Sequence, residues 1–409
     1  MPKKIKRCFY EKLTFENLMQ AHKRARQHKT YKNEVITFEI SLENNIINLL
    51  NNIRTKKYRL GTYRKFIIYE PKERVIEALP YVDRIVHQWY VEEFIKPYIV
   101  PKFVNTTFAC LVDRGTHKAV ENVQKQLRIY KRNFGDFWIL KCDIKKFFYS
   151  IDPNILFEIM QKYIRDKDLL EFTELLIFEN RPRANRLGIP IGNYTSQFFA
   201  NIYLNELDQF VKRTLKVRYY TRYMDDFILL LPSKAECVRI KKIIEDFLAS
   251  HLHLELNNKS RYYPYKMGVN FCGYRIFTTH SLLRLDSKKK IKRSVKKWNK
   301  QYSKNKLDLD KTMQSLNAWI GHSSHCNSYH LQQKIFNSCQ FLVNASSEAR
   351  IERNLLEDME KYQIVHEDFS EDNGLVNENS LPFNKQDEVE FSSFLEEENG
   401  QFSFLPKED

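Results

Sequence analysis

The chain has 409 residues, 67 Lys and Arg against 51 Asp and Glu, a formal net charge of +16 and an isoelectric point near 9.3. A content of 43% hydrophobic and 14% aromatic residues excludes disorder throughout. Ten glycines and twelve prolines exclude collagen-like and low-complexity chains, and no apolar run nears the roughly 18 residues of a membrane span.

Charge is unevenly placed. Residues 351–409 carry 17 acidic and four basic side chains, a balance of −13 that leaves +29 on the first 350 residues. So strong an excess attracts polyanions, nucleic acid before a membrane surface. At roughly 150 residues per domain the length predicts two or three structural units. The basic start, MPKKIKRCFY, has no apolar run or cleavage site behind it and reads as no signal peptide.

In chain order, residues 34–55 read as a helix with Ile40, Ile46, Ile47, Leu50 and Ile53 on one side. Tyr63 to Tyr69 is strand-like, and Pro71 breaks it before a basic turn, Lys72 to Arg74. Helices follow near 83–96 and 117–132. WILKCDI, residues 138–144, has a buried-strand pattern ending in the carboxylate of Asp143, and Asp152 before Pro153 is a helix N-cap signal. A long helix is expected over 192–212, entered through a GIPIG turn. Strands at 217–223 and 227–231, separated by Met224, Asp225 and Asp226, read as a hairpin with an acidic tip. A helix near 234–249 and a strand over 269–277 complete a strand-rich centre.

From Ser287 to Leu307 there are ten Lys and Arg and no acidic residue, interleaved with Ile291, Val295, Trp298 and Tyr302 at spacings of four, three and four. One stripe of that helix can pack while the cations face a duplex backbone. The seven cysteines show no CxxC pair and give no disulfide framework or zinc ribbon. His322, His325, Cys326 and His330 cluster, but without a second cysteine pair packing is the favoured reading. The acidic tail over 346–409, with Asn, Ser and Glu clusters at 371–400, is expected to be disordered or weakly docked, the repeated Phe of FSSFLEEENGQFSFL suiting a docking segment.

The chemistry concentrates in three carboxylates. Asp225 and Asp226 at a tip between apolar strands would repel each other and resist desolvation unless a cation were present. Asp143 ends another buried strand, and three such ends converging would make an oxygen-ligand site of the kind magnesium prefers, with positions left for phosphates.

Tyr223-Met224-Asp225-Asp226 resembles the YxDD box of reverse transcriptases, and further blocks occur in the order that family requires. LKCDIKKFFYSID, residues 140–152, resembles motif A; LGIPIGNYTSQFFANIYLNELD, residues 187–208, resembles motif B; FCGYRI, residues 271–276, resembles the primer grip. NTTFACLVDRGTHKAV (105–120) and YEPKERVI (69–76) resemble the fingers blocks. The resemblance spans roughly residues 55–345.

It implies an α+β right-hand polymerase fold: a basic N-terminal extension over 1–54, fingers over 55–135, a palm of antiparallel sheet and helices over 136–280 with a fingers-like insertion near 165–188, and a basic helical thumb over 281–345. It implies Asp143, Asp225 and Asp226 as catalytic metal ligands for two magnesium ions, with manganese as a substitute. The incoming dNTP is assigned to Lys72, Arg74, Phe148 as steric gate, Ile191, Gly192, Gln197 and Lys259. Tyr223, Gly273, Tyr274, Lys289, Lys292, Arg293, Lys296, Lys297 and Lys300 are assigned to nucleic acid.

Group II intron and retroviral enzymes usually show Gln-Gly near the start of motif B and Ser-Pro after it. Here the chain reads Ile191-Gly192-Asn193-Tyr194-Thr195-Ser196-Gln197, which resembles the reverse transcriptases of diversity-generating retroelements. The implied function is RNA-directed DNA synthesis that misincorporates opposite adenine. The implied partners are an RNA template and RNA/DNA duplex, dNTPs, a structured non-coding RNA and a basic accessory protein, with no membrane, in a bacterial or phage-encoded cytoplasmic setting. A defence-associated reverse transcriptase is the alternative within the fold, and a non-catalytic RNA-binding protein the alternative outside the enzyme class.

Overall fold

The structure, a computed structural model, describes residues 4–69, 73–178 and 187–343. The acidic tail and Lys72 lie outside the described residues. The chain forms two compact units, the first ending at Tyr265 and the second starting at Lys266.

The first unit opens with helices α1 (Phe9–Lys12), α2 (Phe15–Arg26), α3 (Asn33–Ile40) and α4 (Leu42–Arg54). Sequence reading set residues 1–54 apart as an extension, yet Ile5, Phe9, Leu13 and Leu18 lie in the same core as Trp89, Phe94 and Phe172. The buried carboxylate of Asp166 fastens this segment by accepting the Cys8 and Phe9 N–H groups at 2.8 and 3.0 Å. The single helix expected over 34–55 is broken at Ser41, whose φ of −129° and ψ of 48° interrupt the helical bond ladder. Ile40, before the break, is exposed, and within the unbroken α4 Ile46, Leu49, Leu50 and Ile53 form the buried face while Ile47 lies off it.

Strands β1 (Arg64–Ile68) and β2 (Arg74–Ala78) form an antiparallel two-stranded ribbon. Then come α5 (Tyr81–Tyr90), a π-helical turn at Val91–Ile95, α6 (Lys96–Tyr98) and α7 (Thr116–Phe134), the last bounded by Gly115 and Gly135. β3 (Trp138–Asp143) leads through α8 (Phe147–Ser150) into α9 (Pro153–Tyr163), where Asp152 does cap the first turn by accepting from the Asn154 N–H. α10 (Lys167–Phe178) and α11 (Tyr194–Gln209) follow, then the hairpin β4 (Tyr220–Tyr223) and β5 (Asp226–Leu231), α12 (Lys234–Leu252) and β6 (Arg261–Pro264). Residues 217–219 stay outside β4, and the long helix starts at Tyr194, two residues beyond Gly192.

Four strands make one antiparallel sheet in the order β4-β5-β3-β6. Because strand side chains alternate, register partners share a face. Leu140, Cys142, Phe227, Leu229 and Leu231 turn into the main core with residues of α11 and α12. Lys141, Asp143 and Asp226 fall on the opposite face.

The second unit carries a separate three-stranded sheet, β7 (Val269–Phe271), β8 (Tyr274–Ile276) and β9 (Ser281–Leu283), and helices α13 (Leu285–Tyr302), α14 (Leu309–Ser324), α15 (Tyr329–Phe336) and α16 (Gln340–Val343). The one strand expected over 269–277 is two, because Cys272 and Gly273 adopt φ of 44° and 86° and turn the chain. Ile291, Val295 and Trp298 of α13 are buried with Leu316 and Ile335, so the apolar stripe packs as its spacing predicts. Among the described residues no helix is long and apolar enough to cross a membrane.

Candidate active site

β3 ends at Asp143 and β5 begins at Asp226, and the two are register partners on one face of the sheet. Asp226 is also the register partner of Tyr223, so Met224 and Asp225 alone make the hairpin turn. Met224 takes φ of 52°, a left-handed conformation that most side chains avoid. The strand signals and the two-residue tip thus bring Asp143, Asp225 and Asp226 to one sheet end.

Burial pushes the Asp226 carboxyl up to about 6; Lys141 draws it back down, while Asp143 and Asp225 add to the rise. Lys141 Nζ lies 2.5 Å from Asp226 Oδ2. The other oxygen, Oδ1, is buried with no hydrogen-bond partner. Among the described residues no three His, Cys, Asp or Glu side chains are grouped tightly enough to hold a metal ion as they stand. Like-charged carboxylates drawn together without a cation would repel, and here Lys141 supplies the counter-charge. The orphaned buried oxygen of Asp226, beside two further aspartates, is a hard donor of the type a divalent cation takes, and the three carboxylates would have to draw closer to share one.

Lys141 was not singled out in the sequence. Its signal was available, since a residue two before Asp143 on a strand must share its face. A second support comes from the turn at Asn257–Ser260: Asn257 N–H donates to the Asp143 carbonyl at 2.7 Å, and Ser260 Oγ accepts the Asp143 N–H at 3.1 Å. Lys259 is exposed in that turn, which ties it to the Asp143 backbone.

Phe147 is buried, whereas Phe148 stays partly exposed, so the first ring is the core residue of the pair. The Phe148 carbonyl accepts the Ile189 N–H at 2.9 Å, joining motif A to the entry of motif B. Gly192 has φ of 130°, and a Cβ there would stand 2.9 Å from the Glu77 carbonyl oxygen. Beside it, the Glu77 N–H donates to the Ile191 carbonyl at 2.9 Å, which anchors the strand that carries Arg74. Nothing local in the sequence signals that contact. Ile191 and Gln197 are half-buried, and Arg74 is exposed at the start of β2.

In the second unit, Lys289, Lys292, Arg293, Lys296, Lys297 and Lys300 are all exposed on α13. Gly273 sits at the β7–β8 turn against His322. Tyr274, expected to touch nucleic acid, is 1% exposed, and its hydroxyl donates to the His322 carbonyl at 2.8 Å. Alternation in β8 turns that ring inward, so it holds the hairpin on α14.

Residues 64–276 match the family model described as reverse transcriptase (RNA-dependent DNA polymerase). The chain is 22% identical over 306 residues to the group II intron-encoded protein LtrA of Lactococcus lactis subsp. cremoris, covering 57% of this chain and 50% of that protein. It is 24% identical over 204 residues to the COX1/OXI3 intron 2 protein of Saccharomyces cerevisiae, covering 35% of this chain and 24% of that protein. It thus spans a quarter to a half of the length of these curated relatives. Among solved structures, telomerase from Candida albicans in complex with a telomeric RNA fragment matches 57% of this chain and 46% of its own at 13% identity and a TM-score of 0.39. With the family match covering just over half of its length, this chain belongs to the reverse transcriptase family.

Proposed function

We propose that the protein is an RNA-directed DNA polymerase that extends a primer on an RNA template. The observation that carries this reading is the meeting of Asp143 with Asp226 across β3 and β5, with Asp225 in the turn beside them. In this reading residues 55–135 act as fingers, those from 136 as palm and the basic helices up to 345 as thumb.

Divalent ions, magnesium foremost, would be held by Asp143, Asp225 and Asp226; when bound they supply the charge that activates a primer 3′ oxygen and stabilises the departing pyrophosphate. The chain's own residues supply position. Arg74, on a strand tied to motif B through Glu77, offers a cation to the triphosphate. The partly exposed ring of Phe148 would crowd a ribose 2′-OH and favour deoxynucleotides. Lys259, exposed in the turn that bonds the Asp143 backbone, would give a proton to pyrophosphate. The exposed cations of α13 suit a duplex backbone.

Within the family, the Ile191 to Gln197 segment supports the polymerase of a diversity-generating retroelement. There the enzyme copies a template RNA with errors opposite adenine, aided by a structured RNA and a basic accessory protein. An apolar contact at Ile191 replaces a hydrogen-bonding amide and gives a different check on the nascent base pair.

The test is primer extension on RNA with magnesium, comparing wild type with Asp225→Asn and Ile191→Gln. Extension is expected to vanish with Asp225→Asn while duplex binding persists. Errors opposite adenine are expected in wild type and fewer with Ile191→Gln. Accurate wild-type extension would point to a defence-type enzyme, and binding without extension, with RNA and accessory protein supplied, to a non-catalytic role.

A further inference from the structure

The residue before the YMDD box sits on the core face of the sheet. Arg222 pairs in register with Phe227, so alternation drives its guanidinium into the interior, where it is 0% exposed. A charge buried that deeply needs a partner, and Asp208, at the far end of α11, is equally buried.

Arg222 Nε donates to Asp208 Oδ1 at 2.7 Å and Nη2 to Oδ2 at 2.6 Å. The remaining capacity of the carboxylate is taken by the Tyr220 hydroxyl at 2.6 Å and the Thr107 hydroxyl at 2.8 Å. Nη1 reaches two acceptors at 3.0 Å each, Asn201 Oδ1 and the carbonyl of Met224. The Arg222 backbone is clamped as well, its N–H donating to the Thr106 carbonyl at 2.9 Å and its carbonyl accepting from Phe108 at 3.0 Å.

The bond to Met224 is the informative one. Met224 is the first residue of the two-residue turn that presents Asp225, and its φ of 52° is a conformation a methionine does not choose for itself. A buried ion pair adds little stability over apolar packing of the same volume, and its best-attested use is to specify one arrangement. We propose that Arg222, held by Asp208 and Asn201, is a positioning residue that locks the Met224 turn in the left-handed geometry and thereby fixes Asp225 for the metal. This inference rests on the polymerase reading for its kinetic consequence, though its structural consequence is independent of it.

Arg222→Lys is the decisive variant, because lysine can neutralise Asp208 but lacks the planar fork that also reaches the Met224 carbonyl. Three measurements are made: melting temperature, hydrogen exchange of the Met224 to Asp226 amides, and single-turnover extension rate with saturating dNTP. Expected are exchange at the turn faster by about tenfold with β3 and β6 unchanged, and an extension rate lower by about tenfold or more with the KM for dNTP little altered.

Adding Met224→Gly to Arg222→Lys should restore most of the rate, since glycine adopts φ of 52° without strain. Leu248→Ala in α12, lowering stability comparably, should leave turn exchange and rate near wild type. Should Arg222→Lys fail to fold, Asn201→Ala, which removes one anchor and keeps the ion pair, is expected to shift exchange in the same direction by a smaller factor. Wild-type exchange at the turn in both variants, or no rescue by glycine, would overturn the proposal. Absence of extension in the wild type would count against the polymerase reading alone, with hydrogen exchange still deciding this one.

Discussion

Lys141 and Asp226 form a diagonal cross-strand ion pair, Nζ to Oδ2 at 2.5 Å, on the sheet face that also carries Asp143. Lysine here occupies a carboxylate oxygen that a divalent cation would also claim. Lys141→Met should therefore lower stability in chelator by about 1–3 kcal/mol, because Asp226 is left desolvated without a counter-charge. It should also enlarge the upward shift in melting temperature caused by magnesium. Thermal melts with and without the ion test this, and equal shifts in the two proteins would mean that Lys141 and the cation do not share the site.

The raised Asp226 carboxyl has a pH signature. Its folded value of about 6 lies above the unfolded carboxylate range near 4, so the folded state takes up the proton first. Without divalent ions, the contribution of this group favours folding below about pH 4 and is lost as pH rises through about 6. Cation binding needs the ionised form and should weaken as pH falls below about 6. Manganese titrations across that window should slope in the wild type and flatten in Asp226→Asn; a flat wild-type profile would remove Asp226 from the cation site.

Gly192 is needed where motif B meets the β1–β2 ribbon. Alanine at this position would have to adopt φ of 130° and place its Cβ 2.9 Å from the Glu77 carbonyl oxygen. A loss of about 1–3 kcal/mol is expected in urea titration, with faster exchange of the Glu77 amide that bonds Ile191. Exchange at Glu77 equal to wild type would show that the ribbon is anchored by other contacts.

Lys292 and Lys296 lie one helical turn apart on the exposed side of α13. Reversing both to Glu should weaken RNA/DNA duplex binding by about tenfold or more at low salt and make the dependence of log K on log salt shallower by about 1–2. Fluorescence anisotropy at several salt concentrations measures both. An unchanged slope would place the duplex elsewhere.

Features that depend on neighbours along the chain are legible in the residues alone. Alternation and strand-ending carboxylates marked Asp143 and the Asp225–Asp226 tip, the Asp152–Pro153 pair marked a helix start, and the four-three-four spacing marked the buried stripe of α13. Each is a local signal, set by a strand period of two, a helix period near 3.6, or the orphan N–H groups of a first turn. Local reading failed where one unusual backbone conformation redirects the chain, as at Ser41, which exposes Ile40, and at Cys272–Gly273, which divides one expected strand into two.

Contacts between distant segments come from the folded chain: Lys141 on Asp226, Glu77 on Ile191, Asp208 on Arg222, and the N-terminal helices in the main core. Strand register sets them. A slip of one residue in the pairing of β3 with β5 would turn Asp143 and Lys141 to opposite sides from Asp226, and only the joint packing of α11 and α12 against the other face selects the pairing that brings them together.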